Sequence, residues 1–316
     1  MRLPGAATAL CLALLVLVGG CSAAQRPDQG MGGQLVRAPT SNLAATGLAL
    51  SVRLPRQRPD ARGCPAIAPG FSCALRWHIR AVERYVATRP GTTGIVLTDR
   101  ATGATWRNAN ARTDFPAAST IKLAMVTDLL QRNAARAIAL TLSDWKLMYN
   151  ALHESSDTAA DELWFSFENG SFRTRIERFG MTSATFTASP AYWGFMYCSP
   201  QDLDHLMNYV LGKLPRADRN YLVRQLRHVA PIQQWGVWGA GPASHPGNKD
   251  GWEDDDGIWI TNTVGFAGRG ARYTLAIMCN LEGQAGFRAG ADTITHVSAL
   301  LFQGHPGPVP QVQPTP

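Results

Sequence analysis

Apolar residues recur at helical intervals from Leu75 to Arg89, LRWHIRAVERYVATR. The next stretch, TTGIVLTDRATGATWRN, changes to two β-branched runs around the turn DRATG, so a helix leading into a hairpin is predicted. A helical middle follows: Ser119 to about Arg132, Ser143 to Leu152, Ser156 to about Phe167, FRTRIERFG, Pro200 to Leu214 and Arg216 to Val229. Strand character returns late, in GIWITNTVGFA and ARYTLAIMCNLE, before a last helix from about Gly286 to Phe302. Strands at both ends with helices between predict an α/β (α+β, three-layer) fold. In it an antiparallel sheet is flanked by the terminal helices and carries an inserted all-helical subdomain.

Outside that pattern the ends of the chain differ in kind. Arg2 precedes an apolar stretch from Ala6 to Val18, short for a membrane span and ending in small residues, which predicts an export signal over residues 1–20. Its end, LVGGC, resembles the lipobox of bacterial lipoproteins, in which the cysteine, here Cys21, receives lipid and becomes the mature N-terminus. That would hold the protein on the extracytoplasmic face of a cell membrane by lipid alone. Residues 21–63 are rich in Pro, Arg, Gln, Ala and Gly and read as a tether, the folded domain is expected over 64–303, and the tail 304–316 is too Pro-rich to fold alone.

The net charge of +7 changes this picture little, because Lys and Arg are dispersed and no basic run suits a nucleic acid. Cysteine usage adds more. Of six cysteines, Cys11 leaves with the signal and Cys21 would carry lipid, which leaves an even set of four in an exported chain. Cys64 and Cys73 flank a Pro/Gly loop and form a natural local pair; Cys198 is then expected to pair with Cys279. No metal-ligand spacing occurs, and neither a metal nor a cofactor is expected. EDDD, from Glu253 to Asp256, reads as a solvated turn. Of the tryptophans, those of QQWGVWGAG are expected to be partly exposed.

The candidate chemistry lies in FPAASTIK, residues 115–122. Ser119 and Lys122 are three apart at a predicted helix start, so their side chains can meet. Two readings follow from spacing alone: a helix-capping serine with a solvated lysine, or a nucleophile beside an amine whose pKa burial has lowered enough to take its proton.

The company of this octapeptide bears on the choice. DFPAASTIKLAMVTDLL resembles the nucleophile motif of the penicillin-recognising serine enzymes, the class A β-lactamases and related penicillin-binding proteins, in which F-P-x-x-S-T-x-K opens a buried helix. GIVLTDRATGATWRNANARTDF resembles the strand pair before that helix. LTLSDWKLMYNALHESSDTAADELW resembles the region of the S-D-N motif, and NKDGW stands where the family has K-T-G. Together with the signal and linker, the chain looks similar to lipoproteins of this fold in mycobacteria and other actinobacteria.

The resemblance implies a role for each matched position. Ser119 would be the acylated nucleophile, Lys122 its proton acceptor, Ser155 (Ser156 if the register slips by one) the relay to the leaving group, and Lys249 the cation supporting that relay. The backbone N–H groups of Ser119 and of Trp252, the residue after Gly251, would form the oxyanion hole. Three departures accompany the matches. The interval from Ser119 to Ser155 is only 36 residues; the segment from Arg178 to Gln201 lacks the loop glutamate that would activate a deacylating water; and Asp157 and Asp250 replace the Asn and Thr of the second and third motifs. An aspartate at 250 is expected to repel a substrate carboxylate. These features imply a slow serine acyl-enzyme hydrolase or transferase on a cell-wall peptide, amide or ester. The alternatives are a degenerate member that binds peptidoglycan or a partner protein and, less favoured, a true β-lactamase. A monomer is expected.

Overall fold

A computed structural model describes residues 63–305 and 307–310. The signal and tether readings, with Cys21, lie outside these residues. Helix α1 (Cys73–Val86) buries Leu75, Ile79 and Val82, and the Ser72 hydroxyl caps it by accepting from Leu75 N. A disulfide joins Cys64 to Cys73 and fastens the preceding loop to the first helical turn. Strands β1 (Thr92–Asp99) and β2 (Ala104–Arg107) form the expected hairpin. A short strand β3 (Phe115–Pro116) leads into α2 (Ile121–Ala134), whose residues Ile121 to Leu130 are all buried, as befits a helix packed on every side.

Helices α3 (Leu142–His153), α4 (Asp157–Phe167) and α5 (Phe172–Ile176) follow. Strands β4 (Thr185–Phe186) and β5 (Met196–Cys198) complete a small sheet of order β3-β5-β4. Helices α6 (Pro200–Gly212) and α7 (Arg216–Arg227) then lead to the strands β6 (Gly247–Asp255), β7 (Ile258–Ala267) and β8 (Tyr273–Asn280) and the last helix α8 (Phe287–Phe302). The main sheet is antiparallel throughout, in the order β2-β1-β8-β7-β6.

Period-2 alternation divides the core between the two faces of this sheet. Leu275, Ile277 and Cys279 of β8 join the core against α1 and α8, while Ala276 and Met278 join the core of the helical region. The three-layer fold read from the sequence is the one observed.

Four expectations are corrected. NKDGWEDD, which lies outside the strands read from the sequence and whose EDDD is read there as a solvated turn, forms β6, the edge strand, in register with β7 from Lys249 opposite Val264 to Asp255 opposite Ile258. The acidic run belongs to this strand and to a two-residue turn, Asp256-Gly257, in which both residues have positive φ, the conformation that tight hairpins require. Trp235 is fully buried, its ring edge-on to Trp252 and Phe287 and its indole N–H donating to Ile232 O. The described part of the tail does not stand free, since Val309 is buried against the core shared by α1 and α8.

The fourth correction concerns Cys198 and Cys279, which are both free and buried. Cys279 points to the α1/α8 face and accepts a hydrogen bond from the Thr93 hydroxyl, whereas Cys198 packs in the helical core on the far side of the sheet. The sheet separates them, so an even cysteine count did not imply a second bridge. Burial raises the pKa of both thiols, Cys198 further. Native protein treated with iodoacetamide is therefore expected to leave both unmodified, and both should alkylate in guanidinium without reductant. Peptide mapping checks this, and a Cys198–Cys279 linked peptide would contradict it.

Candidate active site

Asn262 of β7 donates to the carbonyls of Pro116 and Ala117, and Thr120 Oγ1 donates to Ala117 O, so the segment entering α2 is held from two sides. Ala118 within it has φ 45°, a left-handed conformation unusual for a residue with a Cβ. A single 3₁₀ turn, Ala118–Thr120, then delivers Ser119 to the head of the helix. Neither Ser119 nor Thr120 caps α2 through its side chain. The Ser119 hydroxyl instead lies 2.8 Å from Lys122 Nζ.

Lys122 is completely buried, and its ammonium has three oxygen partners: Ser119 Oγ, Ser155 O at 2.7 Å and Asp157 Oδ1 at 2.5 Å. The Trp193 ring covers it, centroid 4.7 Å from Nζ. Burial lowers the Lys122 pKa, and Asp157 and then Asp161 oppose that shift. Asp157 therefore does to this lysine what a neutral asparagine could not: it supplies a countercharge within hydrogen-bond reach.

Ser155 also has a left-handed backbone, φ 62°, between α3 and α4. This turn aims its carbonyl at Lys122, while its hydroxyl accepts from Lys249 Nζ at 2.8 Å. Ser156 does something else, capping α4 by accepting from Ala159 N. Lys249, fully buried on β6, also donates to Gln233 Oε1 at 2.6 Å and Asp250 O at 2.7 Å. Burial, and after it the charge of Lys122, push the Lys249 pKa well down.

Gln233 escaped the sequence reading because nothing local in PIQQWG marks it. Its amide nitrogen donates to Leu152 O and His153 O, and its oxygen accepts from Lys249 and from Asp250 N. It thereby ties the end of α3 to β6. Asp161 was missed for the same reason: it accepts the Trp193 indole N–H at 2.8 Å and so holds that ring over Lys122. The segment 178–201, expected from its sequence to bring no carboxylate, brings this indole instead.

Strand parity places the remaining positions. The Asp250 N–H points off the sheet edge to Gln233, and Trp252, two residues along, has the same parity, so its N–H also faces outward beside Ser119. Gly251 lies so close to the head of α2 that a Cβ there would be 2.9 Å from Ser119 N and 2.8 Å from Thr120 N. Lys249 and Gly251 share the face towards Ser119; Asp250 faces the other way, paired with Thr263, whose hydroxyl accepts from Val237 N.

The expected repulsion between Asp250 and a substrate carboxylate is thereby corrected: the side chain is sealed on the α8 side and does not line the cleft. Its two carboxyl oxygens make no hydrogen bond, although Thr263, Asn248 and the Trp235 backbone lie near enough to temper the shift, and burial raises its pKa to about 8.

Ser119 opens on a cavity of about 190 Å³. Trp193, Trp252 and Trp259 form its walls, and Asp157, Glu253 and Asp254 are the ionisable groups at its rim. A second cavity of about 230 Å³, also lined by Gly194, Glu253 and Asp254, adjoins it. Among the described residues no group of His, Cys, Asp and Glu could hold a metal ion. Equally, no helix among them is long and apolar enough to cross a membrane.

Residues 77–143 match the family model described as the Beta-lactamase enzyme family. Over 283 residues, 85% of this chain and 88% of the relative, the chain is 25% identical to the "Putative lipoprotein LppW" of Mycobacterium tuberculosis. It superposes on a β-lactamase from Chitinophaga pinensis with a TM-score of 0.62 at 16% identity, covering 72% of this chain and 98% of that one. For the structure titled PBP-A the values are 0.59 and 19%, covering 72% and 94%. The chain has the β-lactamase and penicillin-binding-protein fold, and over most of its length it is similar to a mycobacterial relative named as a putative lipoprotein.

Proposed function

We propose that this domain is a serine acyl-enzyme hydrolase or transferase, lipid-anchored through Cys21 on the extracytoplasmic face of the membrane and acting on a peptide, amide or ester of the cell wall. The observation that carries the reading is the 2.8 Å contact between Ser119 Oγ and Lys122 Nζ inside a closed set of partners. Ser119 Oγ attacks the acyl carbonyl. Its proton passes to Lys122 as Lys122 gives one to Asp157, so the pair acts as a single acceptor. The N–H groups of Ser119 and Trp252 hold the oxyanion. As the bond to the leaving group breaks, the Ser155 hydroxyl protonates that group and is reprotonated from Lys249, whose depressed pKa suits a proton donor. Water or an acceptor nucleophile then attacks the ester on Ser119 and reverses these transfers. With an indole over Lys122 and no loop carboxylate, that second half is slow.

The experiment is incubation with a fluorophosphonate, an activated ester and a fluorescent penicillin, followed by intact mass and peptide mapping. A single adduct on Ser119 that Ser119→Ala loses is expected, with the penicillin the slowest label. No adduct from any of the three would overturn acyl-enzyme chemistry and leave a binding cleft.

A further inference from the structure

We infer that the acyl donor carries an ammonium or quaternary ammonium group, held between Trp252, Trp259, Glu253 and Asp254; this rests on the acyl-transfer reading of the same cleft. β6 runs past Ser119 and continues as Trp252-Glu253-Asp254, so a group bound through the Trp252 N–H has the next two side chains within reach of its far end. Pairing puts Trp252, Asp254 and Trp259 on one face of the β6–β7 hairpin and Glu253 on the other. The cavity wraps this edge and meets carboxylates and indoles on both sides.

Phe287 holds the two hairpin indoles in place, with ring centroids 6.4 Å from Trp252 and 5.7 Å from Trp259. Indoles fixed beside carboxylates favour a cation, and an anion would be repelled there. Glu253 feels no compensating cation: besides burial, the group acting on it is Asp255, another acid, and its pKa rises to about 7. No Lys or Arg lines either cavity. A ligand cation would supply the missing countercharge and draw Glu253 into its ionised form.

The test is equilibrium binding to the Ser119→Ala protein by titration calorimetry. The probes are the hexanoyl amide of (2-aminoethyl)trimethylammonium, its uncharged 3,3-dimethylbutyl isostere, and the anionic hexanoyl taurine. The cation is expected to bind ~10-fold or more tightly than the isostere, with taurine weakest. Adding Glu253→Gln and Asp254→Asn should bring the first two within ~2-fold of each other. Asp254→Asn alone, an exposed change, should give an intermediate ratio even if the double change perturbs folding. Equal binding of cation and isostere, or a preference surviving both substitutions, would overturn the proposal. Because this protein cannot be acylated, failure here is distinct from absence of a Ser119 adduct in the wild type.

Discussion

Gly251→Ala is expected to slow acylation of Ser119 by about 100-fold or more, the scale of losing one oxyanion-hole donor. The strand carrying Gly251 and the turn carrying Ser119 meet through main chain. An added Cβ would stand 2.8 Å from Thr120 N, 2.9 Å from Ser119 N and 3.2 Å from Ala117 O. All three are backbone atoms, and Asn262 and Thr120 pin that turn, so it cannot swing aside as a flexible side chain would. The edge strand must move outward, and it carries the Trp252 N–H away from Ser119. Lys122, on the helix side, keeps its partners. The rate of adduct formation with an activated ester, measured beside far-UV circular dichroism, separates the outcomes: an intact spectrum with slow labelling is expected. Labelling at the wild-type rate would show that the gap between β6 and α2 is not where the oxyanion is held.

The octapeptide FPAASTIK illustrates how much of the site was legible. Helical spacing placed Ser119 and Lys122 on one side of a helix, but it could not choose between cap and nucleophile. The contacts of Lys122 with Ser119 and Ser155, on which the proposed nucleophile depends, come with two left-handed residues, Ala118 and Ser155, which no local pattern announces. Ser155 and Ser156 were indistinguishable in sequence because both precede the same helix; one turn of backbone sends the first to Lys249 and leaves the second as a cap.

The errors share a cause. NKDGWEDD has too few apolar residues to read as a strand, because its buried positions are polar ones, with Asn248 and Lys249 partnered by Gln233 and Ser155, and its far end is exposed. Once it is a strand, alternation sends Asp250 away from Ser119 and brings Glu253 to it. The Cys198–Cys279 pairing failed for the same reason, since which face of a sheet a side chain occupies depends on register rather than on a count. Gln233 and Trp193 come from irregular segments, where periodicity has nothing to say.

Asp250→Asn is expected to stabilise the protein strongly at pH 8 and hardly at pH 4. The carboxyl is fully buried and titrates at about 8 against 3.8 for a free aspartate. As pH rises from about 4 to 8, the unfolded chain releases this proton and the folded one retains it, so the folded state loses stability through that window and no further above it. An amide has nearly the shape of the neutral acid and does not titrate, so the variant escapes this loss. A shift of this size corresponds to about 5 kcal/mol at pH 8, or roughly 10–20 °C in melting temperature for a domain this large. Glu168, another buried group that titrates, has no electrostatic link to Asp250 and cancels in the difference; Lys249 is coupled to Asp250, so the comparison reads that pair rather than the carboxyl alone. The measurement is thermal unfolding of wild type and variant across pH 4–9. A gap in melting temperature that widens steadily towards pH 8 is the expected result. A gap that stays constant with pH would mean that Asp250 is ionised throughout, with a cation drawn to it. The third-motif position would then be charged after all, although it lies behind the strand and out of the cleft.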